Sequence, residues 1–267
     1  MRALESLVAT AGRAVPSLGQ SHVLEETAHR PWPLPTGPWF MAQTWENLLF
    51  AHWPVPAEAL RQVVPSAVPI DKFDGSAWIG VTPFRVSAFR LRGTLHLPRL
   101  TSFPETNVRT YATIDGKPGI YFFSLDAASR AAVAGARRVY RLPYFHARMS
   151  IGLRGSEIDY GSERLSEDGP PAALRLRYRP TAPPEPPAPG SLEQFLVERY
   201  CLYTLDELGV VQRADIHHPP WPLQPAAAEW EHNSMAAGLG LDLPYEDALL
   251  HFSGRQDVLI WRTAPAR

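Results

Sequence analysis

Hydrophobic and polar positions alternate most consistently between Phe103 and Leu153. Over Phe103–Ile114 the side chains of Glu105, Asn107, Arg109 and Tyr111 share one face of a predicted strand. Thr106, Val108, Thr110 and Ala112 share the other, because successive strand side chains point to opposite faces. Asp115-Gly116-Lys117-Pro118-Gly119 is turn chemistry, with glycine free to take positive φ and proline fixing its own. The apolar run at residues 120–125 has the length of a strand buried on both sides. Asp126 is a candidate N-cap for an alanine-rich helix over residues 127–139, and Leu142-Pro143 ends it. Alternation returns over residues 144–153, with Tyr144, His146, Arg148 and Ser150 opposed to Phe145, Ala147, Met149 and Ile151.

Two readings of these polar faces stay open. An antiparallel sheet commonly has one wet side. Alternatively the faces line a closed or cone-shaped sheet, so that Glu105, Asn107, Arg109, Tyr144, His146 and Arg148 surround a polar pocket. Tyr and His accompany the charges here, where Lys, Glu and Thr are usual on a wet face, and that favours the enclosed arrangement.

The flanking pattern sets the limits of the domain. Residues 1–38 are expected to be a poorly ordered tail: Leu4, Leu7, Val8 and Ala11 have short-helix spacing, and Pro31, Pro33, Pro35 and Pro38 follow. A single domain is expected over residues 39–263. It begins with an apolar strand at 39–53 and a short amphipathic helix at 56–64. Asp74-Gly75 closes a hairpin between 68–73 and 76–84. Residues 85–100, carrying Arg85, Arg90, Arg92, His96 and Arg99, read as a loop. The 155–171 segment is polar and turn-rich, and 174–179 is a strand with Arg175, Arg177 and Arg179 on a solvated face. The proline-dense 180–190 stretch is a surface loop.

Ser191 is placed to cap a helix over residues 191–203. Leu192, Phe195, Leu196, Leu202 and Tyr203 form its apolar stripe, and Arg199 falls in the middle of it. A guanidinium facing a core needs an acceptor, so Arg199 either pairs with a buried acid or reaches into the pocket. His217 and His218 are adjacent. Neighbouring strand residues point oppositely, no HExxH or paired cysteine supports them, and a structural role is expected instead of a metal site. Residues 226–234 and 251–263 read as closing strands.

Composition narrows the chemistry. The chain has 267 residues, 45% of them hydrophobic and 20% charged, as a globular protein does. A net charge of −1 argues against nucleic-acid binding, which needs basic neutralisation of phosphates. No apolar run of about 18 residues occurs, so no transmembrane helix or membrane partner is expected. Cys201 is the one cysteine, which fits a reducing cytoplasm. Lys72 and Lys117 are the only lysines. Both fall in predicted turns, which are solvated places, whereas imine chemistry needs a desolvated lysine.

Several separated blocks carry a family resemblance: WENLLFAHW (45–53), DKFDGSAWIGVTPF (71–84), FPETNVRTYATIDGKPGIYFFSL (103–125), LPYFHARM (142–149), ERYCLY (198–203) and IHHPPWPLQ (216–224). In these the chain resembles the YqjF-like family of bacterial proteins, over roughly 39–261. That family is similar in turn to the acetoacetate decarboxylase superfamily. The resemblance implies an α+β, mainly antiparallel β fold: an acetoacetate decarboxylase-like barrel or cone with a few flanking helices and a polar interior. In acetoacetate decarboxylase a Pro-Lys-Lys run supplies the Schiff-base lysine. The matching stretch here reads Pro143-Tyr144-Phe145, which puts imine-based decarboxylation in doubt. Glu105 sits in a strand position comparable to that of a pocket glutamate of the superfamily.

Three functions follow as alternatives. The first is an enzyme acting on a small carboxylate or carbonyl compound without an imine. Glu105 serves as its general base and Tyr144 or His146 as proton donor. Asn107, Arg109, Arg138, Arg148 and Arg199 are its candidate substrate-binding residues, the guanidiniums gripping a carboxylate or enolate bidentately. The second is a binding protein that uses the same pocket for a small-molecule ligand without reaction. The third is a structural protein whose inward charges form a closed ion-pair network. No cofactor or metal is expected, and self-association stays open.

Overall fold

The structure is a computed structural model and describes residues 20–94 and 102–266. Its twelve described strands are β1 (Met41–Val55), β2 (Ala77–Leu91), β3 (Phe103–Ile114), β4 (Lys117–Ala127), β5 (Tyr144–Arg154), β6 (Glu157–Arg164), β7 (Ala173–Pro180), β8 (Cys201–Leu205), β9 (Val211–His217), β10 (Gln224–Asn233), β11 (Leu249–Ile260) and β12 (Ala264–Pro265). Three short α-helices accompany them among the described residues: α1 (Ala57–Val63), α2 (Arg130–Tyr140) and α3 (Leu192–Val197). No helix among the described residues is long and apolar enough to cross a membrane.

The strands run in the order β12-β9-β8-β4-β3-β2-β1-β11-β10-β7-β6-β5. Two further pairings bend this sheet back on itself. Leu259 and Ile260 of β11 pair with His217 and Ile216 of β9, closing a cone-like ring through β1, β2, β3, β4, β8, β9 and β11. Residues 125–127 of β4 pair with residues 144–146 of β5, which joins the far end of the sheet to its middle. Pairing is antiparallel except where β4 meets β5 and β8. The mainly antiparallel α+β architecture expected from the sequence is what the chain adopts.

Alternation along the shared strands fills the space on both sides. Leu48 and Phe50 of β1 and Tyr111 of β3 point into the ring. Leu49, Ala51, Val108 and Ala112 point to a second core, under the layer made by β6 and β7. Each large apolar side chain buried this way contributes about 1.5–3 kcal/mol. Strand β1 bends at Asn47, whose φ is 52°, and the Tyr178 hydroxyl caps the Asn47 carbonyl at 2.6 Å.

The turns predicted at Asp74-Gly75 and Asp115-Gly116 form, with positive φ at all four residues. Elsewhere tertiary pairing overrode local signals. Helix α2 starts at Arg130 with Ser129 as its cap, the Ser129 hydroxyl accepting from the Ala132 amide at 3.3 Å. Asp126 stays in β4, since its carboxylate binds Arg164. The helix expected over 191–203 ends at Val197. Leu202 and Tyr203 belong to β8, held between β4 and β9, so the apolar stripe counted across them does not exist. Residues 85–91 continue β2, and 157–164 form β6, where loops were expected. The 68–73 arm of the first hairpin makes only isolated bridges. The expectations placed on Leu4, Leu7, Val8, Ala11, His96 and Arg99 lie outside the described residues.

Within the stretch assigned to a tail, Gln20–Glu25 forms a 3-10 turn whose Val23 is fully buried. Arg30 donates to the Ile216 carbonyl at 2.7 Å, and a His217 ring nitrogen meets the Val23 carbonyl at 2.6 Å. His218 is likewise held by the Pro219 carbonyl at 2.8 Å. Burial lowers both imidazoles to a pKa of about 4, so they are neutral. The His217 ring fastens the Val23 turn to β9, and the His218 ring, which also meets the Arg199 carbonyl at 3.4 Å, holds the loop after β9.

Candidate functional site

A cavity of about 350 Å³ occupies the ring. Its walls come from all seven strands of the ring and the first residue of β5, and α2 lies along one side. The β4–α2–β5 crossover brings these last parts together. Leu125 of β4 sits beside Tyr144 in the parallel pair, the Leu125 amide donating to the Pro143 carbonyl at 3.0 Å. Tyr144 therefore enters the ring at the level of Glu105.

Glu105, Asn107 and Arg109 line the cavity from alternate positions of β3. Each is only 5% exposed. Thr82 lines it too and stands in register beside Asn107 on β2. The Tyr144 hydroxyl donates to Glu105 Oε2 at 3.0 Å. From the second core, the Tyr160 hydroxyl donates to the Glu105 carbonyl at 2.7 Å and fixes the backbone there. Burial pushes the Glu105 carboxyl up to a pKa of about 8. The Tyr144 hydrogen bond opposes that rise and the nearby Asp126 charge adds to it. Tyr144 itself is driven well above the ordinary phenol range by burial and by the Glu105 charge. At neutral pH both groups hold their protons.

Arg109 is a buried cation with no carboxylate within ion-pair distance among the described residues. Its guanidinium lies over the rings of Phe50 and Tyr111, at 5.1 and 5.9 Å. The Tyr111 hydroxyl is hydrogen-bonded to His52 Nε2 at 2.7 Å, and burial keeps His52 neutral. Gly80 faces Arg109 across the β2–β3 pair. A Cβ there would stand 2.9 Å from the His52 ring and 3.4 Å from Arg109 Cγ, so a larger residue would displace the His52 ring. Arg109 Nε, Asn107 Oδ1 and Thr82 Oγ1 are buried without hydrogen-bond partners. Buried polar atoms are normally paired; all three belong to residues that line the cavity, as does the unpaired Tyr140 hydroxyl.

The remaining candidates lie elsewhere. His146 is two residues beyond Tyr144, but β5 leaves β4 at that point to pair with β6. Its ring borders a shallow outer hollow with Arg137 and Arg138. Arg138 is exposed on α2. Arg148 is on the surface, paired with Glu163 at 2.5 Å. The alternation that grouped His146 and Arg148 with Tyr144 holds along the strand, but the strand's departure from the ring turns their face to solvent. Arg199 is buried and pairs with Asp71 at 2.8 Å. It borders a separate hollow beside Phe195 and Glu198, outside the central cavity.

Sequence reasoning missed the apolar walls, above all Phe40, Met41, Phe89, Leu91 and Phe103. The interior expected to be polar is mostly hydrocarbon, its polar residues being concentrated around Glu105, Asn107 and Arg109. Phe89 and Leu91 escaped because Ala88 has a φ of 49°. That positive φ interrupts the period of two that the rest of β2 obeys. A second missed pair is Asp126–Arg164, at 2.7 Å with both side chains almost inaccessible. Arg164 falls in the segment read as turns.

Neither lysine lines the cavity. Lys72 is exposed and Lys117 starts β4 at the turn end.

Solved structures with the same arrangement of strands define the class. The enduracididine biosynthesis enzyme MppR complexed with pyruvate superposes with a TM-score of 0.60 at 11% identity, over 88% of this chain and 93% of that one. Acetoacetate decarboxylase from Legionella pneumophila gives 0.57 at 12% identity, over 92% and 95%. The fold is acetoacetate decarboxylase-like. Sequence then gives the family. Residues 42–257 match the DUF2071 family, described as "Uncharacterized conserved protein". The chain is also 46% identical over 228 residues to "Uncharacterized protein YqjF" of Bacillus subtilis (strain 168), covering 85% of this chain and 93% of that protein. It belongs to this YqjF-like family.

Proposed function

We propose that the cavity carries out acid–base chemistry on a small carboxylate or carbonyl compound, moving a proton at a carbon beside a carbonyl without forming an imine. The observation that carries this reading is the Glu105–Tyr144 pair, buried in the same cavity and on the same strand face as Arg109, which has no carboxylate partner among the described residues. Arg109 holds the anionic oxygen of the substrate or of its enolate, where a guanidinium in a low-dielectric site is most effective. Glu105 transfers the proton. At neutral pH it is mainly the acid, because its pKa is about 8. It gives its proton to the enolate carbon, forming C–H as O–H breaks, and the carboxylate so formed removes a proton in the reverse step. Tyr144 holds the carboxyl in place and steadies its ionised form. The absence of an amine among the lining residues argues against the imine route.

The binding-only reading shares Arg109, Asn107 and the apolar walls, and differs in turnover alone. The closed ion-pair network has little support, since about 350 Å³ of the interior is unfilled and Arg109 has no acid partner among the described residues. The test is deuterium exchange at the α-carbon of 2-oxo and 3-oxo acids, followed by proton NMR with substrate loss read in parallel. Exchange should occur with the wild type and be lost in Glu105→Gln. Ligand binding with no exchange and no substrate loss would leave the protein a binder.

A further inference from the structure

We infer that the ligand is a singly charged oxo acid with a medium-length hydrocarbon or aryl body, not a two- to four-carbon acid. Its charged end sits at Arg109, Asn107 and Thr82, and its body lies between Phe89, Leu91 and helix α2. This rests on the acid–base reading of the same site and specifies what the site takes.

Charge sets the first limit. Among the described residues, Arg109 is the only cation lining the cavity. A second negative charge on the ligand would be buried without a partner, which is costly in an apolar interior. Dicarboxylates and phosphate esters are disfavoured on that ground. One anionic head matches the unpartnered Arg109 Nε and Thr82 hydroxyl. The Asn107 amide offers its oxygen, or its NH₂ when rotated about its last bond.

Shape sets the second. In register, Arg109 lies at Gly80, Asn107 at Thr82 and Glu105 at Phe84. Phe89 and Leu91 are five and seven residues further along β2. Arg109, Asn107, Thr82 and Glu105 are therefore at one end of the cavity; the other end is mainly hydrocarbon, with Gln43 and Tyr140 among its polar residues. The helix contributes Ala131, Ala132, Gly135 and Ala136, small residues that leave room instead of filling it; a Cβ on Gly135 would meet nothing within 4 Å. At about 350 Å³ the space is in the range of pockets for drug-sized ligands, roughly 300–1,000 Å³. A four-carbon acid would leave most apolar walls without contacts, and dispersion is lost wherever a wall has no partner atoms.

Titration calorimetry of the full chain with butyrate, hexanoate, octanoate and decanoate tests this. The association constant should rise about two- to fourfold per methylene, as expected when each CH₂ leaves water. Octanol and the dianion suberate should bind at least tenfold more weakly than octanoate. Arg109→Met should bring octanoate down to octanol; if that variant does not fold, the wild-type acid–alcohol comparison carries the same test. An association constant that does not change with chain length, or suberate binding as well as octanoate, overturns the inference. A chain-length gradient without proton exchange on 3-oxooctanoate keeps the ligand class and removes the catalytic reading. Exchange on acetoacetate without a gradient does the reverse.

Discussion

The Tyr144 hydroxyl donates to Glu105 Oε2 across 3.0 Å, joining the first residue of β5 to the third residue of β3. The two are 39 residues apart. The crossover through α2 makes them neighbours and encloses the cavity in the same step.

Glu105 should make stability fall as pH rises. Its carboxyl ionises near 4.3 in an unfolded chain and near 8 when folded. Between those values the unfolded chain has released a proton that the folded chain keeps, so raising pH favours unfolding, by at most about 1.4 kcal/mol per unit. The contribution is complete below pH 4 and lost above 8. Urea denaturation of wild type and Glu105→Gln from pH 5 to 8 should show the wild type losing ground steadily against the variant. A constant difference between them would contradict the buried neutral carboxyl.

Tyr144→Phe removes the hydrogen bond that opposes the rise in the Glu105 pKa. The carboxyl should then ionise at a still higher pH, with a stability loss of about 1 kcal/mol. The limb of the exchange-rate profile assigned to Glu105 should move to higher pH. A shift to lower pH would show that Tyr144 does not donate to Glu105.

Borohydride reduction with pyruvate or acetoacetate should leave the intact mass unchanged, because neither Lys72 nor Lys117 lines the cavity. A trapped adduct at either lysine would contradict this placement.

The Asp126–Arg164 pair is buried on the reverse side of the site, where the Arg164 guanidinium also lies 4.0 Å over the Phe145 ring. Asp126→Asn leaves that guanidinium without its counter-charge and should cost about 3–5 kcal/mol, read from the denaturation midpoint. A loss below 1 kcal/mol would mean the pair is not desolvated.

The strand faces that form the site were legible from residue alternation. Glu105, Asn107 and Arg109 share a face because β3 is regular from one end to the other, and the Asp-Gly turn after it is fixed by local chemistry. Tyr144 could be placed with them, but His146 and Arg148 could not be told apart from it. Only long-range pairing decides where β5 parts from β4. Arg199 was flagged by its position among apolar residues, although the helix proposed to carry it ends before it does. Its partner Asp71 is 128 residues away, beyond what periodicity can reach. The hydrocarbon lining was hidden for a local reason: the positive φ of Ala88 breaks the very pattern by which a strand announces itself.

A direct reading of the Glu105 carboxyl would decide most. Carbon-13 NMR of protein labelled at glutamate Cδ, with Glu105→Gln supplying the assignment, follows that one group through its titration. A midpoint near pH 8 is the predicted result. Ionisation between pH 4 and 5, as for a carboxylate in water, would contradict the enclosed proton-holding site.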